Sequence, residues 1–381
     1  MEIEKKDMQD TFQIRLNKIN TLAFLLIFIG LIFSPSASIA MYTRNYTSHL
    51  YSFLLKHAIF TSGLFLSFFY IYSKYNINFK RYANLCMLIS IALLILVLLI
   101  GVQVKGSKRW INLFFFSLQP SEVCRNLFII ANAYNFFIRK KHQLLTSILL
   151  SIITLFLLAM EPDFGSTVIY ISILLTQVFF SKLNTKIFGL VAFGMLVMSV
   201  SVYKLLPHAQ TRVKLFLQPK YDTSYQTKKS IHSFLAGGVF GTGIGHGTIK
   251  YSLPDAHADY IFSLIAEETG LLGCIFLIIL YGVFIFNITS LASLTMDQFK
   301  RNIIYGISAN FTCNVIINIA CNLNLLPSKG ASLPFIGYGG SAILNGIFAI
   351  FIINQITSSK KNFYSEYDRL YIEENKLNLT T

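Results

Sequence analysis

Apolar runs of about bilayer length recur along this chain, and no other feature constrains its fold as tightly. A spanning helix needs roughly 20 consecutive, mostly apolar residues. Ten candidate stretches stand near 21–41, 57–73, 84–103, 121–138, 144–160, 165–181, 187–206, 258–288, 303–323 and 336–355. Only 13% of the 381 residues are charged and 54% are hydrophobic, whereas soluble domains carry about 25% charged residues. The expectation is an all-α polytopic membrane protein with about ten transmembrane helices. The eighth run is too long for one straight crossing and is interrupted at Thr269-Gly270. It is expected to begin as a helix partly buried outside the membrane and to continue as a span.

Basic residues set the orientation, because cytoplasmic loops carry the excess of Lys and Arg. With the N-terminus inside, the tails and inner loops collect about eighteen of them and the short outer loops about six. Both termini are therefore expected in the cytoplasm, as tails 1–20 and 358–381 flanking a transmembrane domain 21–357. A large outer loop, 207–257, joins spans seven and eight. The acids divide the other way. Between the tails only Asp297 falls inside, while Glu122, Glu161, Asp163, Asp222, Asp255, Asp259, Glu267 and Glu268 fall at outer span ends or in outer loops. Carboxylates beside a span are costly to keep there, so this asymmetry points to an outward-facing site.

The formal charge of +15 sits mostly in short loops, without the stripe or arm of a nucleic-acid reader. Anionic lipid, as head group or as substrate, is the better match. Cys86, Cys124, Cys274, Cys313 and Cys321 are scattered along apolar stretches with no CxxC pair, which indicates neither a disulfide framework nor a zinc site. The first twenty residues lack the apolar segment and cleavage site of a signal peptide. The first span is therefore expected to stay as an anchor.

Five stretches break the apolar pattern with chemistry-bearing residues. In "KGSKRWINLFFFSLQPSEVCR" (105–125), Lys105, Lys108, Arg109 and the single tryptophan, Trp110, stand at an outer surface. Such residues serve either as an interfacial anchor or as a clamp for lipid-linked phosphate. Glu122 and Arg125, three apart, share a helix face and read as a neutralised structural pair before they read as catalysts. In "EPDFGSTVIY" (161–170), Glu161 and Asp163 are placed to cap the following helix. The glycine-rich "AGGVFGTGIGHG" (236–247) has neither the strand before it nor the helix after it that a nucleotide loop requires; it reads as flexible or tightly turned backbone.

The sharpest stretch is "SLPDAHADYIFSLIAEETGLLG" (252–273), which holds four of the seventeen acids. With a helix starting near Ala258, Asp259 and Ser263 share a face, Glu267 lies about a quarter turn away and Glu268 points opposite. A carboxylate at a low-dielectric boundary suits proton abstraction, yet Asp259 is equally placed as a helix cap. Spacing alone does not choose. His257, two residues from Asp259, is a weak metal-ligand candidate. In "NLNLLPSKGASLPFIGYGGSAIL" (322–344), Pro and Gly break the backbone at membrane depth, which is tolerated where it is buried or lines a cavity. Lys329 there is placed to meet a phosphate or to snorkel to the interface.

Taken in order, "GSKRWI…QPSE", "EPDFGS", "RVKLFLQP…YQ…S…AGGVFGTGIGHG", "LPDAHADYIFSLIAEETG" and "LLPSKGASLPFIGYGGS" resemble the SEDS family (shape, elongation, division and sporulation). These are polytopic glycosyltransferases that polymerise peptidoglycan from lipid II. The resemblance runs from about residue 20 to 357. Lys329-Gly330 and Phe164 lean toward its septal, cell-division branch rather than the elongation branch.

The resemblance implies that Asp259 is the catalytic base, deprotonating the acceptor sugar hydroxyl that attacks the donor's anomeric carbon. It places Glu122 and Arg125 beside the substrate cavity. Lys108, Arg109, Trp110, His257 and Lys329 complete the expected substrate-binding set. A divalent cation, Mg or Mn, is a plausible aid to the pyrophosphate leaving group, with no ligand set defined. The implied partners are lipid II, a class B penicillin-binding transpeptidase and other membrane proteins of the division machinery, at the bacterial inner membrane. No nucleic acid is expected. Departures from the family pattern are Ala258 for Thr, Tyr260 for Phe, Arg125 for Lys, Phe114 for Gly, and Gly337 and Ala342 for Ser. The rival functions are a lipid II flippase using the same cavity, an elongation polymerase and a catalytically silent scaffold.

Overall fold

The structure is a computed structural model that describes residues 2–45, 52–104, 107–113, 117–138, 141–161, 163–181, 183, 185–205, 210, 225–327 and 332–357. It is almost wholly helical. Helices α1 (Glu2–Asn45), α2 (Ser52–Lys74) and α3 (Phe79–Ile100) lead to three short strands, β1 (Val102–Val104), β2 (Ser107–Asn112) and β3 (Ser117–Leu118). Then come α4 (Pro120–Ile138), α5 (Lys141–Met160), α6 (Phe164–Phe180), α7 (Thr185–Leu205), α8 (Tyr225–Gly237), a 3-10 turn (Ile249–Tyr251), α9 (Ile261–Leu294), α10 (Gln298–Asn322) and α11 (Gly340–Thr357).

Each of the ten expected spans coincides with a helix. Six described segments have the length and apolar composition to cross a membrane: Gln9–Ile39, Phe79–Ile100, Gln143–Met160, Ile261–Leu294, Gln298–Asn322 and Gly340–Thr357. Gly165–Phe180 is a shorter apolar helix. Helix α4 is different in kind. It packs against α3, α5, α6, α10 and α11 and buries Glu122, Arg125, Asn126, Asn132 and Asn135. Its polar groups are affordable because they face protein rather than lipid.

Inter-helix bonds sort the loops into two ends. At one end Lys80 meets Asp297 at 3.0 Å, Gln298 donates to the Ser181 carbonyl at 2.7 Å and Gln355 to the Tyr75 carbonyl at 2.9 Å. At the other, Arg109 donates to the Glu161 carbonyl at 3.1 Å, the Gln119 N–H to Ser341 at 2.7 Å and Ser230 to the Asn322 carbonyl at 2.6 Å. These groupings agree with the alternation expected of consecutive spans.

Two local features depart from the sequence reading and a third agrees with it. Helix α1 runs through the expected N-terminal tail: Phe12, Leu16 and Ile19 are buried, and Arg15 donates to Asn287 of α9 at 2.9 Å. The stretch read as an interfacial loop folds into an antiparallel meander, order β1-β2-β3, with Gln103 opposite Lys108 and Ile111 opposite Leu118. The strands are too short for periodicity to announce them.

The third feature concerns the expected interruption of the eighth span. Helix α9 is two helical pieces joined across a kink at Gly270, which has the non-helical φ +67° and ψ −165°. The glycine-rich segment after α8 repairs the break. Thr242 and Gly243 N–H groups donate to the Glu267 and Glu268 carbonyls at 2.9 and 3.0 Å, and Leu271 N–H donates to the Gly238 carbonyl at 2.9 Å. A Cβ on Gly270 would lie 2.4 Å from both Gly241 N and Val239 O. The glycines thus permit two backbones to cross in contact, the tightly turned form of the two readings.

Candidate functional site

The loop carrying Asp259 is built from turns that end only at Ile261, where α9 begins. The helix therefore starts later than the expected Ala258. Tyr260 occupies the N-cap and makes no side-chain cap bond, so the cap reading of Asp259 is set aside. Asp259 is half-buried and fixed through its own carbonyl, which accepts from the side-chain amides of Asn318 and Asn322 on α10, each at 3.0 Å. Asn322 also accepts from Ser263, through its N–H at 3.1 Å and its hydroxyl at 2.5 Å. Asp259 and Ser263 are thus gathered by one asparagine rather than by a shared helix face. Burial pushes the neighbouring Tyr260 phenol up to about 12, with the Asp259 charge adding to the shift. Tyr260 therefore stays neutral beside the carboxylate.

The broken segment before α11 closes over this loop. The Tyr338 N–H donates to the His257 carbonyl at 2.9 Å, and the two rings stand 6.0 Å apart. A Cβ on Gly337 would sit 3.0 Å from the Ala258 carbonyl, a close approach that favours glycine there. Segment 332–337 is buried, as expected for broken backbone at membrane depth.

The remaining acids of the stretch are anchors. Glu267 accepts from the backbone N–H groups of Thr248, Ile249 and Lys250, which pins the 3-10 turn to α9. Glu268 does point the other way. It meets the Lys250 ammonium at 2.8 Å in a pair with both side chains wholly buried, and Ser36 of α1 donates to the same carboxylate.

A second cluster forms where α4 and α6 begin. Asp163 caps α6, accepting from the Ser166 N–H at 3.2 Å, and also accepts from Ser121 at 3.0 Å and Gln119 at 3.2 Å. The capping expectation therefore holds for Asp163. Arg125, 2% exposed, donates from Nη2 to Ser166 at 3.1 Å, while its Nε and Nη1 are buried without a hydrogen-bond partner. Glu122 lies buried on the preceding turn. Glu161 is no cap: its carboxyl is fully buried and neither oxygen has a hydrogen-bond partner. Burial first, and the Asp163 charge second, push it up to about 9, with Arg109 opposing.

Of the other candidate residues, Lys108 is exposed on β2, and Arg109 and Trp110 are half-buried beside it. Lys329 lies outside the described residues. The two clusters are joined by the 338–341 segment, bonded to His257 at Tyr338 and to Gln119 at Ser341. Cavities of about 340, 370 and 480 Å³ open elsewhere, and none of these three is lined by Asp259 or Arg125. Among the described residues no three His, Cys, Asp or Glu side chains gather to hold a metal ion. The carboxylates of Asp163, Glu267 and Glu268 are already engaged with donors.

The sequence reading missed Asn318, Asn322, Lys250 and Ser36. A signal for the asparagines existed. Asn310, Asn314, Asn318 and Asn322 recur every four residues along one face of an apolar helix, and all are buried. A strip of amides inside a membrane bundle demands partners.

Fold and site together define a polytopic helical membrane protein that concentrates acidic, basic and amide side chains at one end. The chain belongs to the cell cycle protein family of FtsW, RodA and SpoVE, whose family model matches residues 17–362. It is 33% identical over 349 residues to the probable peptidoglycan glycosyltransferase FtsW of Trichlorobacter lovleyi, covering 87% of this chain and 90% of that one. The protein of the same name in Coxiella burnetii is 34% identical over 357 residues, 88% and 94% of the two chains. Among solved structures, a chain from a peptidoglycan synthase complex described as coordinating polymerization and crosslinking superposes with TM-score 0.71 at 22% identity, covering 90% and 98%. The rod shape determining protein RodA of Thermus thermophilus superposes with TM-score 0.65 at 20% identity, covering 89% and 95%.

Proposed function

We propose that this chain is a peptidoglycan glycosyltransferase that polymerises lipid II at the outer face of the bacterial inner membrane, in septal wall synthesis. Family membership and the FtsW relatives support the reaction class. The observation that carries the site is the double amide clamp on the Asp259 carbonyl, which holds the backbone under a half-buried acid at the end where cations also gather. In this reading Asp259 takes the proton of the acceptor sugar hydroxyl. The freed oxygen bonds to the donor's anomeric carbon as the bond from that carbon to the diphosphate oxygen breaks, and polyprenyl diphosphate leaves. Preorganisation matters because a misplaced base loses much of its rate advantage.

The leaving diphosphate needs cations. Arg125 offers two unspent donors in a low-dielectric setting, where charge-assisted bonds are strong. Arg109 and Lys108 stand on β2 for the approach, with Trp110, Glu122, His257 and Lys329 as the remaining substrate contacts. The described carboxylates do not form a resident metal centre, so a divalent cation enters this reading only as a companion of the diphosphate. A class B penicillin-binding transpeptidase is the proposed partner, alongside other division proteins. The likeness to a synthase complex that couples polymerization to crosslinking supports it.

The test is glycan polymer formed from lipid II by the purified chain with its transpeptidase and a divalent cation, wild type against Asp259→Asn. Polymer from the wild type alone supports the reading. Equal polymer from both removes Asp259 from the mechanism, and none from either, beside an active family control, favours a flippase or scaffold.

A further inference from the structure

The segment that joins α8 to the kink of α9 exposes its largest apolar side chains. Phe240 is 81% exposed and Leu235 74%, and Val239 and Ile244 of the same stretch are exposed as well. The backbone beneath them is not loose. Gly237 accepts from the Gly241 N–H at 2.7 Å and Val239 from the Leu272 N–H at 3.3 Å, beside the bonds that Gly238, Thr242 and Gly243 make to α9. A fixed turn therefore holds these side chains outward. Contiguous exposed apolar surface of this kind marks a contact surface.

What covers it follows from where it lies. Ser230 meets Ser263 at 2.6 Å, a Cβ on Gly237 would collide with the Ala266 carbonyl, and Val239 is bonded to Leu272. Helix α8 and the turn thus run alongside α9 in the same direction, down toward the span. Beyond the kink α9 faces lipid from its first residues: Leu271, Leu272, Ile275 and Phe276 are all exposed, in a segment apolar enough to cross a membrane. From Leu271 to Leu294 it rises about 35 Å at roughly 1.5 Å per residue, against a hydrocarbon layer of about 30 Å. The charged Lys80–Asp297 pair follows at the far end. Leu271 therefore stands near the hydrocarbon boundary on the Asp259 side, and the turn bonded to it stands at the same level.

The composition of α8 changes along that descent. Its packed face is small and hydroxylic, with Thr227, Ser230, Ser233 and Gly237, the reverse of a helix that buries its apolar stripe. Its open face begins with Lys228 and His232 and ends with Leu235 and Ala236. No acid stands between Tyr225 and Pro254. Basic side chains at head-group level with apolar ones below are what an interfacial helix presents to a bilayer. We propose that α8 and the turn after it form a membrane wedge. Leu235, Val239, Phe240 and Ile244 lie among the acyl chains of the leaflet on the Asp259 side, and Lys228 lies among its phosphate head groups. Residues that the sequence assigns to an outer loop thus belong in part to the membrane. Ser230 also donates to the Asn322 carbonyl, which fixes the wedge relative to the loop that carries Asp259.

The test places single spin labels in the full chain, reconstituted in vesicles of phosphatidylethanolamine and phosphatidylglycerol. Labels at Phe240→Cys, Lys228→Cys and, within the span, Phe276→Cys report depth, because oxygen concentrates in hydrocarbon while a nickel chelate stays in water. Cys86, Cys124, Cys274 and Cys321 are buried and Cys313 is half-buried, and labelled wild type supplies the blank. The ratio of oxygen to nickel relaxation at 240 is expected to exceed that at 228 several-fold and to approach that at 276. A ratio at 240 equal to that at 228 puts the turn in water and overturns the proposal. Relaxation by neither agent also overturns it, because protein, whether a partner or a second copy, then covers the patch. If Phe240→Cys melts below wild type, Ile244→Cys takes its place under the same expectations.

Discussion

The side-chain nitrogen of Asn322 lies 3.0 Å from the carbonyl oxygen of Asp259, while its side-chain oxygen accepts from Ser263. One amide thus ties the segment before α9 to the first turn of that helix. Removing it takes one bond from the Asp259 carbonyl, which Asn318 still holds, and two from Ser263, whose N–H keeps the Tyr260 carbonyl and whose hydroxyl keeps Ser230; each lost bond contributes about 0.5–1.5 kcal/mol. Asn322→Ala is expected to lower polymer formation at least about tenfold by displacing the carboxylate. Asn318→Ala should cost less, because it removes only a bond to the Asp259 carbonyl and leaves the Asn322 bonds to Ser263 in place. Polymer yield for both variants, with detergent melting temperatures alongside, checks the order.

The Lys250–Glu268 pair offers a sharper contrast between single and double substitutions. Both side chains are wholly buried, so Lys250→Met strands a carboxylate at about 3–5 kcal/mol. Lys250→Met with Glu268→Gln leaves no stranded charge and should recover much of that loss. Thermal unfolding of the two variants in detergent measures the difference. A double variant no more stable than the single would show that the loop is held chiefly by Glu267 and the backbone bonds of Gly238–Gly243.

Glu161 predicts a pH dependence. Its carboxyl is raised in the folded chain from 4.5 to about 9 by burial, helped by Asp163. The native state therefore keeps a proton that the unfolded chain has lost, and stability falls as pH climbs through that interval. The contribution is complete below about pH 4.5 and gone above about pH 9. Glu161→Gln, always neutral, should flatten the fall of melting temperature between those limits. Parallel curves for wild type and variant would mean that another group governs the window.

How much of this was legible in the sequence follows from which forces act locally. The spans, the break at Thr269-Gly270 and the gathering of acids at one end could be read because bilayer length, glycine and charge asymmetry are properties of short stretches. The roles of Glu267 and Lys250 were not. Glu267 serves backbone groups of the preceding loop, and Lys250 reaches α1 across more than two hundred residues. Asp259 was singled out by its motif, but what holds its backbone was not. Two amides on another helix hold it, and only the four-residue spacing of asparagines hinted at them. The β1–β3 meander was missed because its strands are too short to show alternation.

The kink in α9 gives the last contrast. At Gly270 a Cβ would meet Gly241 N and Val239 O at 2.4 Å, on a backbone already at φ +67°. Neither contact is a flexible side-chain end, so the crossing must open. Gly282, farther along the same helix, has nothing within 4 Å of where its Cβ would stand. Gly282→Ala should be neutral or slightly stabilising, since alanine gains about 0.5–1 kcal/mol over glycine in a helix. Gly270→Ala should lower the melting temperature by several degrees and free the 238–243 segment, seen as faster hydrogen exchange there. The glycine-rich stretch then matters for holding α9 in its kinked course. If Gly270→Ala melted like Gly282→Ala, the bonds from Thr242 and Gly243 to the Glu267 and Glu268 carbonyls could not be what holds that course.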